Sequence, residues 1–317
     1  MRAARFHGPG DLRVEDVPDP RPGPGDVLVQ IDVALTDGTD LKAYRRGHPL
    51  LLAKLPSLFG HEFCGTEVAT GRRVVAANSA PCGACGACAR KEEAQCENLL
   101  PLLNGAYAEL LVVPARIAGT NLHAVPRSLA SEVAALMEPL ACCLHGVERA
   151  EVREGQTVAV LGAGPIGLML CACVADAGAQ PVLVGGRAQR RALAPDFGAV
   201  PGDGKGADVS IEATGTSKGW RDAVALARRG GTAVAFSGLP SRTDVPLDAR
   251  RIHYEELTLR GAFHHTPRTV RAALTFLASG ARPWEKLLTH EISLDELPAL
   301  FAEPPDGYLK AIVRPSS

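Results

Sequence analysis

Four cysteines, Cys82, Cys85, Cys88 and Cys96, follow one another in a C-x2-C-x2-C-x7-C pattern. Thiolates two residues apart in a loop can turn around one tetrahedral ion, and four of them fill its coordination sphere. The spacing therefore predicts a structural zinc that pins a lobe at residues 78–99 and leaves no open position for a small molecule. Metal-free or redox-active thiols are the alternative reading. The other cysteines, Cys64, Cys142, Cys143, Cys171 and Cys173, stand in apolar stretches and read as small core residues.

The second chemical feature is a turn, Gly162-Ala163-Gly164-Pro165-Ile166-Gly167. Glycines at this spacing mark many tight turns, so the flanks carry the inference. An apolar strand ends at Leu161 and a helix opens around Ile166. In that setting Gly162 permits the turn, Gly164 lets backbone approach a pyrophosphate, and Gly167 allows close packing, with Pro165 and Ile166 starting a helix whose N-terminus faces the anion. The end of the following strand selects the dinucleotide, because an acid there would bond the ribose hydroxyls of NAD and repel a 2′-phosphate. This chain has Gly185-Gly186-Arg187 instead, with Arg190 and Arg191 one turn on. A guanidinium beside small residues suits a phosphate, so NADP is preferred; NAD held by backbone groups, with Arg187 stacked on adenine, is the alternative.

These residues need elements to position them. Residues 27–33, 72–77 and 107–113 read as short strands separated by Gly and Pro, which gives the first part of the chain a β-rich texture. From about residue 131 helices and strands alternate: strands at 157–161, 181–184, 208–212, 232–237 and 257–259, and helices through 177, at 219–228 and at 270–279. Such alternation predicts an α/β unit with a parallel sheet covered on both faces. A last strand at 311–313 follows.

With 317 residues, 46% hydrophobic and 22% charged, the chain is long enough for two globular domains. Net charge is −1 and no block of like charge occurs, which excludes a basic nucleic-acid footprint and points to small-molecule partners. No apolar stretch follows Arg2 and Arg5, so no secretory signal is expected and the protein reads as cytoplasmic. The uncharged stretch 157–175 contains the glycine turn and reads as strand, turn and helix rather than as a membrane span.

The chain resembles the zinc-dependent medium-chain dehydrogenases and reductases, which include alcohol, sorbitol, threonine and glucose dehydrogenases. The resemblance is carried by Gly60-His61-Glu62-Phe63 with Gly65, the cysteine lobe, Glu138-Pro139-Leu140, the Gly162–Gly167 turn and Ile211-Glu212-Ala213-Thr214-Gly215. It implies a GroES-like β-rich catalytic domain at 1–143 and 278–317 and a Rossmann dinucleotide-binding domain at 144–277. It extends the cofactor set to Gly186, Arg187, Thr214 and Gly238. It also implies a catalytic zinc bound by the cysteine of a C-G-T-D sequence, the histidine of G-H-E and further groups. Here that stretch reads Asp37-Gly38-Thr39-Asp40, so an aspartate stands where the cysteine is expected. Asp37, His61, Glu62 and Glu138 would make an oxygen-rich, harder site. Either Asp37 binds directly, with His61 and Glu62 or Glu138 completing the set, or the site binds metal weakly or not at all and hydride transfer needs another electrophile.

By resemblance Asp40 orients the ligating imidazole, Thr39 passes the substrate proton toward the cofactor ribose, and Lys42 occupies the place of the histidine that often ends this relay. The implied activity is interconversion of an alcohol, polyol or sugar hydroxyl with its carbonyl, NADP preferred, in a homodimer or homotetramer. The alternatives are a zinc-independent quinone or enone reductase of the same superfamily, or a non-catalytic NADPH-binding sensor or structural protein.

Overall fold

The computed structural model describes residues 1–48, 52 and 54–315. The chain divides into two compact units, Met1–Ala141 with Thr266–Ser317, and Cys142–His265.

The first unit opens with short strands: β1 (Arg2–Gly8), β2 (Asp11–Asp16), β3 (Val27–Leu35), β4 (Ser57–Leu58), β5 (Glu62–Glu67), β6 (Arg73–Ala76), β7 (Leu110–Val113) and β8 (Leu122–Ala124). β1 lies between β2 and β4, while β3 pairs antiparallel with β5 and β7. Along β3 the apolar side chains Val29, Ile31 and Val33 are buried and the intervening Gln30 is exposed, the two-residue period of a strand with one packed face. The expected strand at 107–113 starts only at Leu110. Tyr107 is drawn elsewhere: its N–H donates to Phe59 O at 3.0 Å and its carbonyl accepts from Ala4 at 2.7 Å. Its ring joins an aromatic core in which Phe59 meets Phe6, Tyr107 and Phe301 at centroid distances of 5.6 to 5.8 Å.

The second unit holds β9 (Thr157–Leu161), β10 (Gln180–Val184), β11 (Val200–Gly202), β12 (Ala207–Glu212), β13 (Ala227–Ala235) and β14 (Thr258–Gly261). They form one parallel sheet in the order β11-β10-β9-β12-β13-β14. The chain steps outward from β9 to β10 and β11, then returns to the other side of β9 with β12, so the order reverses beside the strand that carries the glycine turn. The helix Pro165–Asp176 buries every residue from Gly167 to Val174, in keeping with its uncharged sequence. The helix expected at 219–228 spans Ser217–Leu226, and β13 begins at Ala227. The side chain of Arg228 is held by Asp208 at 2.7 Å, and backbone crowds Gly231, where a Cβ would lie 3.0 Å from Asp208 O.

The tail returns to the first unit. The helix Pro267–Ala278, capped by Thr266, packs on the helices Ala115–Asn121 and Ser131–Ala134, so the second unit ends at His265 and not at residue 277 as the sequence reading placed it. β15 (Leu288–Ser293) and β16 (Lys310–Arg314) follow, and β16 pairs antiparallel with β3 through Ile312 and Val313. No helix among the described residues is long and apolar enough to cross a membrane.

Asp208 ties three strands together, accepting from Arg228 Nε at 2.7 Å and from the Thr157 N–H at 2.9 Å. Arg228 first, and then that N–H, hold its carboxyl below the ordinary 3.8. A depressed carboxyl contributes stability that is present above its unfolded value and is lost as pH falls through its folded value. Asp208→Asn is therefore expected to melt below wild type at pH 7, with the two melting curves converging as pH drops beneath 3.8. Calorimetry across that range checks it; a gap that stays constant with pH would remove the ionic explanation.

Candidate metal centres and nucleotide site

In the lobe, the sulfurs of Cys82, Cys85, Cys88 and Cys96 all lie within 4.8 Å of one another, and Cys85 and Cys96 are 3.9 Å apart. Four thiolates about 2.3 Å from one zinc stand roughly 3.8 Å from each other, so the donor set fits a tetrahedral ion. Nearby hydrogen-bond donors favour the thiolate at two of the four sulfurs. The Asn98 side chain, then the N–H groups of Ala84 and Cys85, draw Cys82 down to about 6, and the N–H groups of Cys88 and Glu97 lower Cys85. Desolvation, with Cys85 adding to it, pushes Cys88 up to about 12, as expected when thiols this close cannot all ionise without a cation.

The second cluster is built at the start of the helix Gly38–Arg46. Asp37 is its N-cap, with a reciprocal capping box to Asp40: Asp40 N–H donates to Asp37 Oδ1 at 2.7 Å and Asp37 N–H to Asp40 Oδ2 at 3.3 Å. Asp37 thus divides its carboxylate. Oδ1 caps the helix, while Oδ2 faces His61 Nε2 at 3.9 Å. Two ligands of a tetrahedral zinc at O and N distances near 2.1 Å stand roughly 3.4 Å apart, so a small closure brings both onto one ion. Glu62 offers a third oxygen within 4.8 Å of the other two. The other face of the imidazole meets Asp40, whose Oδ1 lies 3.3 Å from His61 Nδ1.

The charges around this cluster are unbalanced. Burial disfavours a charged His61, but Asp40, Asp37 and Glu138 outweigh it and raise His61 well above its usual value. Burial also raises Asp37, yet His61 and Lys310 leave it below the ordinary carboxylate value. Burial and then Asp37 raise Asp40, and burial lifts Glu138. The carboxylates of Asp37, Asp40, Glu62 and Glu138 exceed the local positive charge, so the site favours either a proton on His61 or a metal ion. One buried oxygen of Glu62, Oε1, has no hydrogen-bond partner, as a free ligand atom would.

Four residues that no motif announced complete the frame. Lys310 Nζ, on β16, donates to Glu62 Oε2 at 2.6 Å and to Thr36 O at 2.9 Å, with Lys310 and Glu62 both buried. Burial pushes Glu62 up to about 8 against the pull of Lys310. Tyr107 OH lies within hydrogen-bond reach of both Asp40 Oδ2 and Leu35 O, and Tyr308 OH donates to Thr36 Oγ1 at 2.6 Å. Of the residues read from sequence, Asp37, Asp40, His61 and Glu62 come together. Glu138, buried in the first turn of the helix Met137–Arg149, acts on His61 through its charge. Thr39 is half-buried in the first helical turn with its N–H toward Asp37, and Lys42 is half-buried a turn later.

In the second unit Gly162 sits at φ +112°, and a Cβ at Gly167 would lie 1.7 Å from Gly162 O, so only glycine lets the helix close on the strand there. Gly164 is the N-cap and a Cβ on it would touch nothing within 4 Å, which leaves its amide end open to an anion. Pro165 occupies the first helical turn, followed by Ile166. A Cβ on Gly186 would strike Ala163 at 2.4 Å, so the end of β10 lies against the glycine turn and presents Arg187 at the surface. Gly238, past β13, also has open space where a Cβ would be, and Thr214 follows β12.

Two family models match, an alcohol dehydrogenase GroES-like domain over residues 23–127 and a zinc-binding dehydrogenase domain over 202–279. Erythritol/L-threitol dehydrogenase of Mycolicibacterium smegmatis is 31% identical, with 93% of this chain and 92% of that one aligned. The chain belongs to the zinc-dependent medium-chain dehydrogenase/reductase family. Sorbitol dehydrogenase of Bacillus subtilis is 29% identical over 93% of this chain and 91% of its own. A Sinorhizobium meliloti 1021 protein solved bound to NADP superposes with a TM-score of 0.88 at 32% identity, covering 99% of both chains. The GroES-like and Rossmann architecture of this family is the one described above. At Asp37 a carboxylate both caps a helix and faces the histidine.

The Lys310–Glu62 pair yields a direct test. Removing one partner of a buried pair strands the other charge and costs about 3 to 5 kcal/mol. Lys310→Met is expected to lose that much in urea denaturation, and Lys310→Met with Glu62→Gln to recover most of it. A double variant as unstable as the single one would show that packing of Lys310, and not its charge, is what matters.

Proposed function

We propose that this protein is an NADP-preferring, metal-dependent oxidoreductase that interconverts a hydroxyl of a small alcohol, polyol or sugar with its carbonyl. The observation that carries the reading is the Asp37, His61 and Glu62 donor cluster together with a glycine turn open to a pyrophosphate. The polyol dehydrogenases among its relatives support the substrate class, and the NADP-bound relative supports the cofactor.

Asp37 Oδ2, His61 Nε2 and a Glu62 oxygen would hold the ion, Lys310 keeps Glu62 in place, and Asp40 with Tyr107 behind it sets the plane of the imidazole. When bound, the metal polarises the substrate oxygen and the nicotinamide carries the hydride. Thr39, as donor and acceptor, is suited to move the hydroxyl proton, with Lys42 one turn beyond. Backbone amides at Gly164, Pro165 excepted, face the pyrophosphate, and Arg187 takes the 2′-phosphate.

β14 is an unpaired edge of its sheet with Leu259 43% exposed and Phe263, just beyond it, 45% exposed. Edges of this kind pair with a second copy, so we assign the homodimer contact to β14 and expect Leu259→Lys to shift light scattering toward monomer. All nine cysteines are unbridged, which suits a cytoplasmic thiol environment.

Steady-state assays of a polyol and sugar panel with NADP and with NAD test the reading. The expected result is metal-dependent turnover favouring NADP, with Arg187→Ala losing about tenfold or more in kcat/KM for NADP and little for NAD. A wild-type preference for NAD would overturn the cofactor assignment. Cofactor binding without turnover of any substrate would favour a sensor, and metal-independent enone reduction a reductase.

A further inference from the structure

Glu212 ends β12 and is fully buried. One oxygen, Oε1, collects three donors from the turn that follows: Thr214 N–H at 2.5 Å, Thr214 Oγ1 at 2.6 Å and Gly215 N–H at 2.6 Å. The Thr214 hydroxyl is also 2.8 Å from Thr216 Oγ1, which caps the helix Ser217–Leu226 by accepting from Gly219 N–H at 3.0 Å. Helix start, turn and strand end are therefore strung on one carboxylate. Its other oxygen, Oε2, is buried without a hydrogen-bond partner. A buried carboxylate left half satisfied is costly in a purely structural position, and such an exception calls for a reason.

The turn it shapes lies against the glycine motif. A Cβ on Gly162 would come within 3.1 Å of Ala213 O and 3.2 Å of Thr214 Cγ2. On the other side the fit is as close: a Cβ on Gly219 would stand 2.2 Å from Thr214 Oγ1 and 2.8 Å from Glu212 Oε1. In a doubly wound sheet a dinucleotide lies across the reversal point, with its adenosine toward the second strand and its other nucleotide toward the second half of the sheet. By that rule β10 would take the adenosine and β12, with residues 213–216, the nicotinamide half.

We propose that Glu212 is a positioning residue: its carboxylate holds the 213–216 turn against Gly162 in the shape that receives the nicotinamide half of the dinucleotide. The proposal rests on the nucleotide-binding reading given above and adds to it a residue that does not itself touch the cofactor. β10 pairs with β9 and β11 and not with β12, so loosening this turn should weaken the whole dinucleotide more than its adenosine end.

Fluorescence titration of NADPH and calorimetric titration of adenosine 2′,5′-bisphosphate, on full-length wild type, Glu212→Gln and Gly219→Ala, test this. The first variant keeps the shape of the side chain and removes its charge; the second keeps Glu212 and forces the turn away. The expected result is an NADPH Kd raised about tenfold in both variants, with the bisphosphate within about twofold of wild type. Equal loss of both ligands would overturn the proposal in favour of a general packing role, and unchanged NADPH binding in both variants would overturn it outright. If wild type bound neither ligand, the nucleotide reading itself would fail and this proposal with it, an outcome distinct from the other two.

Discussion

The arrangement around His61 depends on how the Asp37 carboxylate is divided. Aspartate is among the best N-caps, and the reciprocal Asp37–Asp40 bonds start the helix Gly38–Arg46 with both carboxylates turned inward. Once that geometry is set, His61 lies between them, with Nε2 toward Asp37 and Nδ1 toward Asp40. One side chain thus starts the helix and offers an oxygen to the His61 side of the cluster. The result is a buried cluster with more carboxylates than cationic groups, the oxygen-rich donor set on which the proposed metal site rests.

Support comes from the chain's far end. β16 aligns with β3 and delivers Lys310 under Glu62 and Thr36, so a strand some 250 residues away in sequence secures the residue next to His61. Tyr107 does the same for Asp40 from a segment that leaves its expected strand to do so. In the second unit one carboxylate, Glu212, plays the corresponding part for a turn. In both units a buried acid is held by hydrogen bonds and a neighbouring backbone is shaped around it.

The cysteine lobe and the glycine turn were legible because each is local: spacing within fifteen residues is enough to bring sulfurs around a point, and a strand, turn and helix are contiguous. The parallel sheet was legible from alternation. Thr36, Tyr107, Tyr308 and Lys310 were not, since nothing near them repeats and their importance arises only when β1, β3, β5 and β16 meet. Glu212 was visible as part of a motif, but its three donors come from a turn whose conformation the residue types do not dictate. The extent of the second unit was misjudged at its end for a similar reason, because the packing of the helix Pro267–Ala278 is a tertiary fact.

We propose that a carboxylate-bound ion occupies the Asp37 cluster in addition to a thiolate-bound one in the cysteine lobe. Elemental analysis of protein purified without added metal, for wild type, Asp37→Ala and Cys88→Ala, each normalised to chain, tests it most directly. The account predicts one ion for each of the two clusters in wild type, with each variant losing only the ion of its own cluster. A single ion, untouched by Asp37→Ala and lost in Cys88→Ala, would contradict it.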